Sequence, residues 1–174
     1  MNNNFFKEFY PDYLNHTNTE INDDKVVFYF DSLRTECECP ECGNITSTFK
    51  NYYNRKIQDL SIIDKQLFLI IRLKKYICKN ELCNKGIFVE PIDELVEKKS
   101  RKTKRLDELL TRLALTSSAE EASRICKSKK ISISGDTLLR IAKEWQMKIN
   151  VEDITAVGID DFSLKKNISM EQLL

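Results

Sequence analysis

Four of the six cysteines come as two close pairs, Cys39-Pro-Glu-Cys42-Gly43 and Cys78-Lys-Asn-Glu-Leu-Cys83, with 35 residues between them. Spacers this short let both sulfurs of a pair reach one ion, and two such pairs supply the four thiolates, at about 2.3 Å each, that a tetrahedral zinc takes. Gly43 suits the sharp backbone turn of a metal knuckle. Four protein ligands leave no open coordination position, so the expected zinc organises the fold and does no chemistry. Cys37 competes with Cys39, since Cys37-x4-Cys42 is also a chelating spacing; the tighter CPECG pattern favours Cys39. Cys126 falls on an expected helical face and reads as core. His16, the single histidine, is remote in sequence from both knuckles and reads as a surface or loop residue.

Metal is the better reading of these cysteines only in a reducing compartment, where disulfide frameworks are rare. No run approaches the eighteen or so apolar residues of a membrane span, and the start MNNNFFKEFYPDYL lacks the basic and apolar stretches of a signal peptide. The chain therefore reads as intracellular, with a cytoplasmic location and no membrane partner expected. Its 174 residues, 41% apolar and 32% charged with four glycines and three prolines, describe a folded, helix-rich protein divided into several small domains.

Residues Met1 to Asn22 are polar, with Phe5, Phe6, Phe9 and Tyr10 able to pack as a short amphipathic segment. VVFYF after Lys25 predicts a strand leading to the first knuckle. Gln66 to Cys78 predicts a longer one, with Leu67, Leu69, Ile71 and Leu73 on one face and Arg72 and Lys74 on the other. Ile87, Phe88 and Val89 make a short strand that Pro91 stops. Beyond this the period changes. Leu106, Leu109, Leu110 and Leu113 fall at helical spacing, and Ser118 with Glu121 forms a capping box for a second helix whose inner face is Ala119, Ala122, Ile125 and Cys126. Ser134 caps a third, striped by Leu138, Ile141, Ala142 and Trp145. Ile154 to Asp161 reads as a buried strand ending in two carboxylates.

Helix, short turn and helix over Ser117 to Gln146 is the arrangement that puts a second helix into the major groove of duplex DNA. Thr137, Arg140, Lys143 and Lys148 lie off the apolar stripe, and the helix start from Ser134 to Thr137 offers backbone N–H groups to phosphate. Arg140 is the candidate for guanine, whose two acceptors match a guanidinium fork. Lys98 to Arg105 places six basic residues in eight, and Arg101, Lys102, Lys104 and Arg105 are candidate phosphate contacts. The bland alternative is a small helical bundle with a solvated charged face behind a basic linker.

Five segments in this order resemble one known family, the ISL-three insertion-sequence transposases of bacteria: CPECG, RLKKYICKNELCNKGIFVE, KKSRKTKRLDELL, SISGDTLLRIAKEW and VGIDDFSLKK, together spanning roughly Lys25 to Lys166. The resemblance implies an α+β chain: a small zinc ribbon at 25–93 after an N-terminal segment at 1–24, then a basic linker and three-helix helix-turn-helix at 94–149. It also implies the first strand of an incomplete ribonuclease-H-like nuclease at 150–174. By position in VGIDDF, Asp160 would be the first metal-holding carboxylate of that nuclease, with Asp161 the alternative and magnesium its ion in an intact domain. The expected partner is double-stranded DNA at transposon ends, with a homodimer or an intact transposase as a protein partner and the nucleoid as the place of work. NISMEQLL stands where the family continues into its nuclease, so a truncated chain without strand transfer of its own is expected. The rival expectations are a non-enzymatic DNA-binding regulator derived from a transposase, and a zinc ribbon that touches protein only.

Overall fold

The computed structural model describes residues 4–146. The expected strand at 154–161, with Asp160 and Asp161, lies outside the described residues, as does Lys148.

The architecture is mixed α+β. A one-turn helix α1 (Asn4–Lys7) precedes strands β1 (Leu14–Ile21) and β2 (Lys25–Ser32), and a small pair, β3 (Cys37–Glu38) with β4 (Ile45–Thr46), follows. Two long strands, β5 (Phe49–Ile62) and β6 (Lys65–Ile77), and a short β7 (Ile87–Val89) complete the sheets; α2 (Lys104–Thr116), α3 (Ala119–Ser128) and α4 (Gly135–Gln146) come last. The main sheet has the order β1-β2-β6-β5. β2 runs parallel to β6, and β1–β2, β5–β6 and β6–β7 are antiparallel.

β6 is central, pairing with β2, β5 and β7. Leu67, Leu69, Ile71 and Leu73 are all buried, on the face the sequence assigns them. Val26, Phe28 and Phe30 of β2 and Ile57 of β5 extend that face, which is covered by Phe6 and Tyr10 from one side and Ile92, Leu95 and Val96 from the other. β1 was not expected. Its sequence, LNHTNTEI, is too polar to read as a strand, yet it pairs along β2 and draws the N-terminal segment into the same sheet. His16 is corrected with it: the ring lies in β1, stacked on Phe6 at 3.8 Å, and desolvation lowers its pKa.

β5 and β6 meet in a two-residue turn in which Ile63 and Asp64 have φ of 47° and 56°. Both central residues positive is the primed hairpin turn whose twist suits paired strands. Glu90, buried after β7, accepts from Ser32 Oγ at 2.8 Å and from the Lys74 amide at 2.7 Å, which pins the end of β7 across β6.

The three later helices are short, capped and packed on one another. Thr103, Ser118 and Ser134 each accept a hydrogen bond at a helix start, from the amides of Leu106, Glu121 and Thr137. The caps at Ser118 and Ser134 are those read from sequence; Thr103, inside the basic run, was missed. Leu106, Leu110, Ala122, Cys126 and Leu138 form the shared core, plugged by Ile131 from the turn between α3 and α4. Trp145, expected on the inner stripe, is 43% exposed.

One buried carboxylate joins sheet to helices. Asp59 of β5 accepts from Tyr10 Oη at 3.0 Å, Thr103 Oγ1 at 2.7 Å and Arg105 Nε at 2.7 Å, and a second Arg105 nitrogen closes a two-pronged ion pair. Beside it the chain before α2 adds to the edge of β5: the Gln58 amide donates to Arg101 O at 2.8 Å, and the Thr103 amide to Gln58 O at 3.0 Å.

Candidate functional site

The first knuckle hangs between β3 and β4, and the second between β6 and β7. The first is closed by the Gly43 amide donating to Cys39 O and the Cys39 amide donating to Asn44 O, each at 2.9 Å. In the second, the Cys83 amide donates to Asn80 O at 3.0 Å and the Cys78 amide to Gly86 O at 2.7 Å. Each turn needs one left-handed residue, supplied by Gly43 at φ 72° and Gly86 at φ 58°. A Cβ on Gly43 would also come within 3.3 Å of Glu38 Oε1. Gly43→Ala should therefore cost about 1 kcal/mol, read as a lower melting temperature of the zinc-loaded protein, while an unchanged melt would mean the knuckle has slack.

The thiols of Cys39, Cys42, Cys78 and Cys83 lie within 4.8 Å of one another. The Cys39–Cys83 and Cys42–Cys78 sulfur pairs are 3.8 and 3.6 Å apart. Four sulfurs at about 2.3 Å from a tetrahedral ion are separated by about 3.8 Å, so spacing and donor set both fit zinc. The competing thiol of Cys37 is not in the group. It is buried beside Tyr76 and Phe88, directed to Glu38 O at 3.6 Å, and burial pushes its pKa up, as suits a neutral core thiol. Cys126 is likewise buried and raised, inside the helical core.

Crowding drives the thiols of Cys42 and Cys83 apart in acidity. The Asn44 amide beside Cys42 brings that thiol down to about 7. Cys83 is pushed up to about 12: the Lys85 amide favours its thiolate, but desolvation and hydrogen bonding among the sulfurs of Cys42, Cys39 and Cys78 outweigh it. A dication removes that conflict, so metal binding releases protons and weakens in acid.

The basic residues singled out by sequence divide into two groups. Arg105 is committed to Asp59, and Lys104 and Lys102 face Glu97 and Asp107, each at 3.3 Å. Arg101 and Lys143 are exposed with no ion pair among the described residues. Arg140 is exposed and holds Glu144 at 2.9 Å, a surface pair of the kind that exchanges readily for another anion. Arg101, Lys102 and Arg140 line one groove, between the loop before α2 and the outer side of α4, together with Trp145 and the carboxylates Glu97, Asp107 and Glu144. Ser134 and Thr137 sit nearer the start of α4, where their hydroxyls bond to each other at 2.9 Å. Sequence reasoning missed Asp59, Tyr10 and Thr103. Nothing in an isolated aspartate, tyrosine or threonine marks it, and only the fold brings the three together.

No helix among the described residues is long and apolar enough to cross a membrane. No curated protein and no solved structure matches the chain. Residues 35–83, a span that holds all four converging cysteines, match the family described as the zinc-finger of transposase IS204/IS1001/IS1096/IS1165. This part of the chain thus resembles the zinc ribbon of that transposase type, and Cys39, Cys42, Cys78 and Cys83 form a cluster suited to structural zinc.

Proposed function

We propose that the chain is the DNA-binding part of a transposase and that it recognises the inverted repeats at transposon ends. The observation that carries this reading is a juxtaposition: beside a ribbon of transposase type, Arg101 and Lys102 line the same groove as Arg140 of α4. α3 and α4 act as the helix-turn-helix, with α4 in the major groove, Arg140 on a guanine edge, and Thr137 and Lys143 on either side of it. Arg101 and Lys102 neutralise phosphates next to that helix, and the start of α4 at Ser134 offers its amides to another. Arg105, held by Asp59, serves the protein's own architecture. Zinc orders the ribbon and takes no part in the chemistry of strand cleavage or joining.

The test is titration of the zinc-loaded protein with labelled inverted-repeat duplex and with random duplex across a salt series. Specific binding that steepens as salt falls, and that Arg140→Ala weakens by about 1–3 kcal/mol on the repeat alone, is the expected result. Equal affinity for the two duplexes in the unaltered protein would overturn end recognition.

A further inference from the structure

β5 is an edge strand of the main sheet, and only its Gln58 end is covered by the loop before α2. Where the loop diverges from the strand, a groove of about 540 Å³ opens, lined by Tyr53, Arg55, Lys56 and Phe68 on the sheet side and by Lys99 and Arg101 on the loop side. With Gln58 and Ser100 the lining comes to eight residues, of which four are cationic and none is a carboxylate. Arg55 donates to Ser100 O at 2.7 Å and so holds the loop in place. Lys56, Lys99 and Arg101 are exposed and enter no ion pair among the described residues. Lys99, Ser100 and Arg101 belong also to the groove that holds Arg140, so the two are continuous around the loop.

We infer that this sheet-edge groove is a second contact on the same DNA, a clamp for the phosphodiester backbone of duplex flanking the segment under α4. The inference rests on the DNA-binding reading and adds a surface to it. A lane of unpaired cations calls for a polyanion. The aromatic rings favour a backbone contact over splayed bases, because a single strand is gripped by stacking on open rings. Here Lys56 already lies over Phe68, 4.4 Å from its centroid, and Lys75 over Tyr53 at 5.4 Å. Phosphate contacts of this kind carry no sequence information; they fix orientation and add affinity on every duplex long enough to reach them.

The experiment compares the zinc-loaded protein with a Lys56→Gln/Lys99→Gln variant, which spares Arg55 and every knuckle residue, and with Arg140→Ala. Each is titrated across a salt series with inverted-repeat duplex, random duplex of equal length, a repeat trimmed of its flank, and single-stranded DNA. The double variant should keep its melting temperature, and its log-affinity against log-salt slope should fall by about two. It should lose on the order of tenfold in affinity, equally on repeat and random duplex, with the loss vanishing on the trimmed duplex. An unchanged slope in the double variant, while Arg140→Ala still loses its preference for the repeat, overturns the clamp and leaves end recognition standing. A deficit confined to single-stranded DNA overturns the choice of duplex backbone. Failure of the unaltered protein to bind any duplex overturns both readings together.

Discussion

Cys78→Ser should release the metal and unfold the tip of the sheet, leaving the rest of the protein folded. Structural zinc in small all-cysteine or mixed sites binds with apparent free energies of about 10–16 kcal/mol at neutral pH, and in a module with little other core that energy is folding energy. The tip is such a module. Around the four ligands its apolar content is Cys37, Tyr76 and Phe88, separate from the clusters that hold the sheet face and the helices. In the variant, amides at 37–46 and 78–89 should lose hydrogen-exchange protection while those of Leu69, Ile71 and Leu110 keep theirs. A chelator should reproduce the effect in the unaltered protein, and acid should do so progressively, since each thiol regains a proton as the metal leaves. Retention of one full equivalent of zinc by the variant, with unaltered protection at the tip, would remove these thiols from the metal site.

Asp59→Ala should produce the second largest loss. Asp59 is fully buried and Arg105 is 35% exposed. Removing the carboxylate leaves a half-buried guanidinium and two hydroxyls without their acceptor. Breaking such a pair costs about 3–5 kcal/mol, and the solvent that screens Arg105 places the expectation at about 3. Burial by itself would raise the Asp59 pKa; the Arg105 fork, the Thr103 hydroxyl and the Leu60 amide outweigh it and hold the carboxyl below its usual value. The folded value is thus lower than the unfolded one, near 4. This contribution is therefore fully present above that pH and is lost as pH falls through the folded value. Urea denaturation should show the unaltered protein and Asp59→Ala converging in acid. A double-mutant cycle with Arg105→Met should give a coupling above about 1.5 kcal/mol, and additive losses would show that the pair does not join sheet to helices. Arg105→Met should also leave the salt dependence of DNA binding unchanged, unlike the variants in the basic grooves.

What could be read from the sequence was whatever repeats locally. The knuckle ligands are written in their spacing, β6 in the recurrence of leucine and isoleucine at every second position, and α3 and α4 in serine caps followed by apolar stripes. The failures have a common physical cause, which is that the deciding interaction lies far along the chain. β1 is a strand because β2 offers it a hydrogen-bonding edge and Phe6 covers His16. The hairpin at Ile63 and Asp64 lacks the Asn-Gly signature of its turn type and is dictated by the pairing on either side. Arg105 looked like one more charge in a basic run, and its pairing with an aspartate 46 positions earlier is written in no local pattern. The tighter Cys-x-x-Cys spacing favoured Cys39 over Cys37, and Cys39 does lie with the other three thiols while Cys37 packs beside Tyr76 and Phe88.

The parallel pairing of β2 with β6 has a consequence for how the protein is made. Parallel neighbours cannot be joined by a tight turn, and here the connection between them contains β3, β4 and the whole of β5. As the chain leaves the ribosome, β1 and β2 can zip together at once, but the other hydrogen-bonding edge of β2 then waits, open, for a strand not yet synthesised. The second cysteine pair emerges directly behind β6, so metal capture by both knuckles becomes possible only when that strand is available. Ion binding would then close the loop that carries β5 and β6 and bring β6 to its waiting partner, replacing a slow search between distant segments with a short one. In a zinc-starved cell the interval with an uncovered strand edge lengthens, and the hazard there is association between nascent chains along β2.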